Sequence, residues 1–448
     1  MLTEESGIRS WGYIPNTPQH AVRPQWKPSH CPEPVRGNTV LPYGNGRSYG
    51  DSCLNSSGTL IDMRSMDRLV AFDREQGILT VQAGVLLRDV LNLIVPAGWF
   101  LPVSPGTALA TMGGALANDV HGKNHHREGT FGCFITRFSL MRSEGQVLEC
   151  SAQENSELFA ATIGGLGLTG LVTELSIRLI SVNSPYLDVR YDTFRGLEEF
   201  AALSVSRKSD YRYTVAWLDC ASGGARFARG VFMSANHSTH PQDTTTVAQL
   251  NKVDTPSSSA FTFPVDLPQW ILNSYSIRAF NTAYFNRYRL QHGKTVRQHY
   301  QPFFYPLDAI NRWNRIYGAD GFHQYQFVVP LKALDVMEKA LKRIVQSGMG
   351  SFLAVLKEFG AAPSPGWLSF PREGYCLALD FANRGVKTRR LIRELDSMVL
   401  DAGGAVYPAK DRLMGKPTFQ HSFPKHEQFS KWVDPGFSSD FWERVSAD

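Results

Sequence analysis

The sequence predicts an α+β protein built as two successive units, and three observations carry that reading. Residues 36 to 185 are dense in short alternating strands and glycine turns. From about residue 186 the strands lengthen and a helix separates two of them. At 448 residues, 43% hydrophobic and 12% aromatic, the chain is long enough to bury two cores.

In the first unit, Leu60 to Met63 and Ile78 to Ala83 read as strands, and Phe134 to Met141 with Gln146 to Cys150 reads as a hairpin turning through Ser143-Glu-Gly145. Between them, Leu86, Leu87, Val90, Leu91, Ile94 and Val95 have the spacing of an amphipathic helix that Pro96 ends. Gly165-Leu-Gly167-Leu-Thr-Gly170 has the spacing of a dinucleotide fingerprint, which requires a strand before it and a helix after it. Here the order is reversed. Ser156 to Thr162 reads as a helix, and Leu171, Thr173, Leu175, Ile177 and Leu179 alternate with polar neighbours as a strand. The pattern therefore argues against NAD and leaves open which bulky group the backbone approaches.

In the second unit, Tyr211 to Leu218, Gln324 to Val329 and Tyr375 to Phe381 read as strands and Leu334 to Gln346 as a helix. Ser234 to Ser259 is polar enough to contain an exposed loop. Phe261 to Tyr305 interleaves aromatics with Arg278, Arg287, Arg289, Lys294 and Arg297, which suits either core rings with solvated arginines or a lid that meets a lipid surface.

A net charge of +5, spread along the chain, argues against nucleic acid. The six cysteines lie far apart without a C-x-x-C pair, and the start lacks a basic and apolar leader, so a reduced cytoplasmic protein without signal peptide or membrane span is expected. Three glycine-rich loops, Pro42 to Asp51, Pro102 to Thr107 and Gly113 to Gly122, offer backbone N–H groups able to cradle phosphate, with side-chain donors from Arg47, Ser48 and Thr107. His121, His125 and His126 with Lys123 follow the third loop. No Asp, Glu or Cys cluster accompanies them, so they predict a polar ligand and no metal. Lys357 and Lys410, each beside an apolar strand, are candidates for holding an anion.

Together, "GNGRSYGD", "PVSPGT", "GGALANDVHGKNHH", "GGLGLTG", "HQYQFVVP", "LKEFG" with "LSFP", "YPAKD" and "VDPGFSSD" resemble the FAD-linked oxidases of the vanillyl-alcohol oxidase type, nearly end to end and most closely the ribose oxidases among them. The resemblance implies a two-subdomain FAD-binding domain at 1–185, completed by 405–448, and an α+β substrate-binding cap with an antiparallel sheet at 186–404. It implies non-covalent FAD, because the commonest tether position falls in Arg47-Ser-Tyr49, where tyrosine cannot serve. Carried over by residue, Gly46, Arg47, Ser48, Tyr49 and Gly50 would hold the pyrophosphate region. Pro105, Gly106, Thr107, Gly113, Gly114, Asn118, Asp119, Gly122, Asn124 and Gly170 would line the rest, with His121 near the flavin ring. Gln324, Gln326, Lys357, Phe359, Lys410 and Trp217 would surround substrate. The ribose oxidases carry a cysteine where alignment on Asp380-Phe381 gives Ala378; Cys376 stands two residues earlier on the same strand face.

The implied reaction is oxidation of a secondary, C2-like hydroxyl of a polyprenyl-phosphoryl pentose to a keto sugar, in cell-wall biosynthesis, by hydride transfer to flavin N5. An oxidase of a free sugar, alditol or aldonolactone is the alternative. Lys410 would place positive charge beside the flavin and bind the hydroxyl, and His121, whose unperturbed pKa lies near neutrality, is the alternative proton acceptor. The implied partners are the lipid-linked sugar, an NAD(P)H-dependent reductase acting on the keto product, and the face of a membrane touched peripherally.

Overall fold

The computed structural model describes residues 8–14, 17–26, 28–239 and 261–447. Alternation in the first part of the chain becomes two small sheets. A parallel sheet has the order Ala21–Val22, Thr59–Asp62, Val40–Tyr43. An antiparallel sheet has the order Leu69–Asp73, Ile78–Gln82, Leu171–Arg178, Ile135–Met141, Val147–Ser151. The amphipathic helix is Leu87–Ile94, and its apolar stripe of Leu87, Val90, Leu91 and Ile94 is buried. The helix before the glycine fingerprint is Ser156–Thr162 and the strand after it Leu171–Arg178, the reverse of a dinucleotide βα turn.

The chain end returns to this part. Val40 N–H donates to the Gly436 carbonyl (2.8 Å), Ser438 N–H to the Val40 carbonyl (3.1 Å), and Ser56 is bound by the Asp440 carboxylate at 2.6 Å.

The remaining long strands form one antiparallel eight-stranded sheet ordered Lys294–His299, Tyr186–Arg195, Arg229–His237, Tyr213–Leu218, Ala354–Phe359, Gly374–Ala382, Phe322–Val329, Ala405–Val406. It runs past the expected boundary at 404, because Ala405 and Val406 pair with Val328 and Phe327. Helices Leu334–Ser347 and Val386–Asp401 contact strand Phe322–Val329, and the Tyr325 hydroxyl donates to Asp396 of the second helix at 2.7 Å. Tyr325, Phe327, Leu356, Leu377 and Leu379 are fully buried on that side. Strand alternation sends the intervening side chains to the opposite face.

Of the two readings of Phe261 to Tyr305, core rings fit its C-terminal part, where Phe285, Tyr300, Phe303, Phe304 and Tyr305 are buried. Ser274–Arg289 is a helix with a capping box at Asn273, and its buried Asn281 donates to Asp219 (2.9 Å) and to the Ser351 carbonyl (3.2 Å). Tyr300, Phe303, Phe304 and Tyr305 are buried, with Phe304 packed on Phe100 and Tyr213. Burial of this apolar area holds the segment to the body of the protein, so a lid reading is confined to the aromatics nearer residue 261. Of the polar loop expected at Ser234 to Ser259, the strand Arg229–His237 covers the start and residues 240–260 lie outside the described residues.

Candidate functional site

Four glycine loops, far apart in sequence, are hydrogen-bonded to one another. Asn45 Nδ2 donates to the Leu109 carbonyl (2.8 Å) and Asn124 Nδ2 to the Pro102 carbonyl (2.7 Å). Gly164 N–H reaches the Leu116 carbonyl (3.0 Å) and Leu166 N–H that of Ala117 (2.8 Å). At Gly46, whose φ is +59°, a Cβ would stand 2.2 Å from the Tyr43 hydroxyl, so only glycine allows the turn. The backbone N–H groups of Asn45, Gly46, Arg47 and Ser48, and of Gly106 and Thr107, meet no acceptor among the described residues. Arg47 stacks on Trp11 (4.1 Å), and its Nε is buried without a partner there. Convergent backbone donors with a guanidinium beside them fit a pyrophosphate, so the residues present suit FAD.

The large sheet supplies the opposite wall. Cross-strand pairs Gln324↔Asp380, Gln326↔Ala378, Val355↔Ala378 and Lys357↔Cys376 put these side chains on the face away from Tyr325. Gln326 Nε2 lies 2.8 Å from His121 Nε2 and donates to Cys376 Sγ (3.3 Å), so it joins the third glycine loop to the sheet. Gln324 Nε2 donates to Asp380 Oδ1 (2.7 Å), and the Tyr317 hydroxyl lies 3.3 Å from Oδ2. Lys410 Nζ sits 4.0 Å from the centre of the Tyr49 ring.

Burial sets the charge states. It lowers Lys410 to about 7, with Asp380 pulling the other way and Lys357 adding to the fall. It also lowers Lys357, and among the described residues no carboxylate stands within ion-pair distance of either amine. Asp380 is raised to about 7 by burial against the hydrogen bond from Gln324 and the charge of Lys410. Burial, then Lys357, His125 and Lys410, drives His121 well below its ordinary value. His121 is thus a neutral ring. Its unperturbed pKa near neutrality is not kept here, because burial, with Lys357 the largest charge nearby, disfavours the protonated ring.

Of the expected site residues, contacts link Tyr49 to Lys410 and His121 through Gln326 to Cys376, with Lys357 the cross-strand partner of Cys376; others are engaged elsewhere. Thr107 spends its hydroxyl on Asp308 (2.7 Å), which also takes the Ala108 N–H, so only the Thr107 backbone N–H is left to meet a phosphate. Asp119 is a buried clasp for Gly132 N–H (2.8 Å), Ser364 and Ser369 (both 2.5 Å), so its carboxylate does not line a cofactor. A Cβ on Gly170 would meet the Met141 carbonyl at 2.8 Å and one on Gly113 the Ala83 Cβ at 2.7 Å; sheet packing explains both glycines. Asn118 bonds the Gly114 carbonyl (2.8 Å), which holds the short helix Met112–Ala117 in place. A Cβ on Gly122 would press on Asn124 Oδ1 at 2.6 Å.

Phe359 is fully buried under His121 and His125, with ring centroids 4.9 and 4.4 Å away, and supports the site from behind. Trp217 shares the sheet face but lies three strands from Gln326 in the row through Val355 and Ala378, or about 14 Å at normal strand spacing. Its indole packs on Tyr284 and donates to the Phe352 carbonyl (3.0 Å), beyond reach of a sugar held at Gln326. Sequence reasoning missed Asp380 and Tyr407, whose hydroxyl donates to the Asn118 carbonyl (2.9 Å) and whose ring flanks His121. The signal for Asp380 was present: it alternates with Ala378 and Cys376 on the same face.

The FAD binding domain family model matches residues 35–151. Over 416 residues, 91% of this chain and 89% of the relative, the chain is 33% identical to the decaprenylphosphoryl-beta-D-ribose oxidase of Mycolicibacterium smegmatis. It is 29% identical to an uncharacterized protein of Streptomyces coelicolor across 81% of this chain and all of that one. A match to the L-gulonolactone oxidase of Mus musculus is 28% identical and covers 31% of each chain.

Proposed function

The chain belongs to the family of decaprenylphosphoryl-β-D-ribose oxidase and is an FAD-dependent oxidoreductase acting on CH–OH groups; on that premise we propose that it oxidises a secondary, C2-like hydroxyl of a polyprenyl-phosphoryl pentose to a keto sugar. The observation that carries this reading is the buried amine of Lys357, which among the described residues has no contacting carboxylate. A dry site that holds an amine without a counter-ion favours an anionic ligand, and a phosphoryl group meets that need where a free sugar does not.

In this reading the two small sheets form the subdomains that hold FAD between the glycine loops, and the eight-stranded sheet caps it. When held there, FAD would supply a hydride acceptor for the carbinol carbon. Gln324 and Gln326 orient the sugar through their amides, Lys357 takes the phosphoryl group, and Lys410, neutral above about pH 7, accepts the hydroxyl proton. His121 has the lower proton affinity and serves as a fixed polar ring. FAD is held without a covalent bond, since Tyr49 occupies the usual tether position.

Exposed Phe261, Val265, Trp270 and Tyr275 would meet the membrane that carries the lipid tail. Among the described residues no helix is long and apolar enough to cross a membrane, which suits peripheral contact at a cytoplasmic face. The keto product would pass to an NAD(P)H-dependent reductase.

Anaerobic bleaching of the bound flavin by a panel of polyprenyl-phosphoryl and free sugars tests the assignment. Bleaching by the phosphoryl pentose is expected. Bleaching by free sugars alone would overturn it.

A further inference from the structure

Oxidation of an alcohol breaks two bonds to hydrogen. The hydrogen of the C–H bond leaves with two electrons to the bound FAD, the C–O bond becomes C=O, and the hydroxyl proton has to leave the protein once per turnover. Lys410 can accept that proton, but a buried amine that keeps it is finished after one cycle. The site therefore needs an outlet.

Asp380 stands where an outlet would begin. It is the register partner of Gln324, is 2% exposed, and faces the reacting side of the sheet. One carboxylate oxygen is bonded by Gln324 Nε2 at 2.7 Å and the other lies 3.3 Å from the Tyr317 hydroxyl. Lys410 is close enough that each charge alters the ionisation of the other.

Beside Asp380, away from Gln324, lies a cavity of about 20 Å³ lined by Asp380, Tyr317, Ser351, Leu272, Ile277 and Arg384, room for about one water molecule. Tyr317 and Ser351 offer hydroxyls to such a water. Arg384, at the outer end, is exposed and donates to the Leu272 carbonyl at 2.7 Å. A carboxylate, a water-sized polar cavity and an exposed rim thus follow one another from the site to the surface.

We propose that Asp380 is the proton outlet of the site, taking the substrate's hydroxyl proton from Lys410 across a bridging water and passing it through the Tyr317–Ser351 cavity to solvent beside Arg384. The proposal rests on the reading of the protein as an alcohol oxidase and does not depend on which alcohol. The groups that face Asp380 are Gln324 and Lys410 on the reacting side, Tyr49 on the first glycine loop, Cys220, and Tyr317 in the cavity, whose lining also includes Arg384. Burial raises Asp380 and lowers Lys410, both to about 7. Below that pH both hold their protons and the route is blocked; above it both can accept, so the rate rises with pH through about 7.

Asp380→Asn keeps the shape and an oxygen for Gln324 while removing the ionisation. In this variant, with full FAD content and unchanged substrate Kd, anaerobic flavin reduction should fall on the order of 10²-fold. Its acid limb should also move to lower pH, because Lys410 loses the carboxylate that raises it. A second readout needs no turnover: infrared spectra of the resting protein should show protonated-carboxyl absorption that titrates near pH 7, part of it from Asp396, which burial also raises to about 7, and its amplitude should fall in Asp380→Asn. Ile277→Phe, which fills the cavity without touching the reacting side, should slow reduction at least tenfold while leaving that absorption in place. An unmoved limb with wild-type rate in Asp380→Asn, or carboxyl absorption near pH 7 undiminished by the substitution, overturns the outlet. If the asparagine variant does not fold, a wild-type rate in Ile277→Phe overturns it instead. Should only free sugars bleach the flavin, the substrate assignment fails and the same measurements are made with the sugar that does.

Discussion

Gly50→Ala tests whether the first glycine loop and the Lys410 segment act as one unit. A Cβ at Gly50 would stand 1.9 Å from the Asp411 carbonyl oxygen, 2.7 Å from its carbon and 3.1 Å from the Arg412 nitrogen. All three are backbone atoms, so no side chain can rotate away. Restoring an ordinary 3.4 Å contact to that oxygen requires the two segments to part by about 1.5 Å, the difference between the two distances. The bond from Tyr49 N–H to the Ala409 carbonyl, 3.0 Å long, joins the same two segments and would be strained.

Overpacking of this kind costs about 1–3 kcal/mol in stability, which a large domain survives. The catalytic cost should be larger, because a displacement of about 1 Å at a reacting group lowers rate by about 10²-fold. The assay is anaerobic flavin reduction alongside the FAD-to-protein ratio and a melting curve. The expected result is a melting point a few degrees lower with reduction slowed on the order of 10²-fold. A folded Gly50→Ala protein with full FAD and a wild-type reduction rate would refute the coupling of these segments.

At Gly106, by contrast, a Cβ meets no atom within 4 Å; Gly106→Ala should leave the melting point of the FAD-free protein unchanged and weaken FAD binding by about tenfold, or ~1.4 kcal/mol, and equal FAD affinity would remove this glycine from the cofactor site. Lys410→Met should slow flavin reduction on the order of 10²-fold and abolish the acid limb near pH 7, whereas His121→Asn should leave the limb where it is, because the His121 ring stays neutral throughout; pH–rate profiles of the two variants decide this. Acid precipitation should release all the yellow colour to the supernatant, since Tyr49 cannot form the tether, and colour in the pellet contradicts non-covalent FAD.

What could be read in the sequence was local. The strand Leu171–Arg178, the helix before it and the helix Leu334–Ser347 follow from periodicity within a dozen residues. The fates of Thr107 and Asp119 did not, because their partners Asp308, Ser364 and Ser369 lie 201, 245 and 250 positions away. Both side chains are good ligands for a cofactor until a distant residue claims them. The helix Ser274–Arg289 was hidden for the same reason: its aromatics suit a lipid surface by composition, and its buried side is fixed by distant partners, among them Asp219 and Ser351 bonded by Asn281. Charge states are the least local property of all. Nothing beside His121 in sequence reveals that Lys357 and Lys410 converge on it.

The site nonetheless owes its form to a pattern simple enough to write down. In the three central strands, Gln324 and Gln326, Cys376, Ala378 and Asp380, and Lys357 face the glycine loops, while Tyr325, Phe327, Leu377, Leu379 and Leu356 face the helices. A slip of one residue in any strand would carry its charged or amide groups into the core and its apolar ones into the site, at several kcal/mol for each unsatisfied buried group. Hydrophobic burial on one face therefore enforces the register that positions the chemistry on the other. Because Ala378 takes no part in the helix-covered face, the position where ribose oxidases carry cysteine can differ here without disturbing the packing that aligns Gln326 with His121. Substrate preference can then change along this face while the core keeps the wall in place.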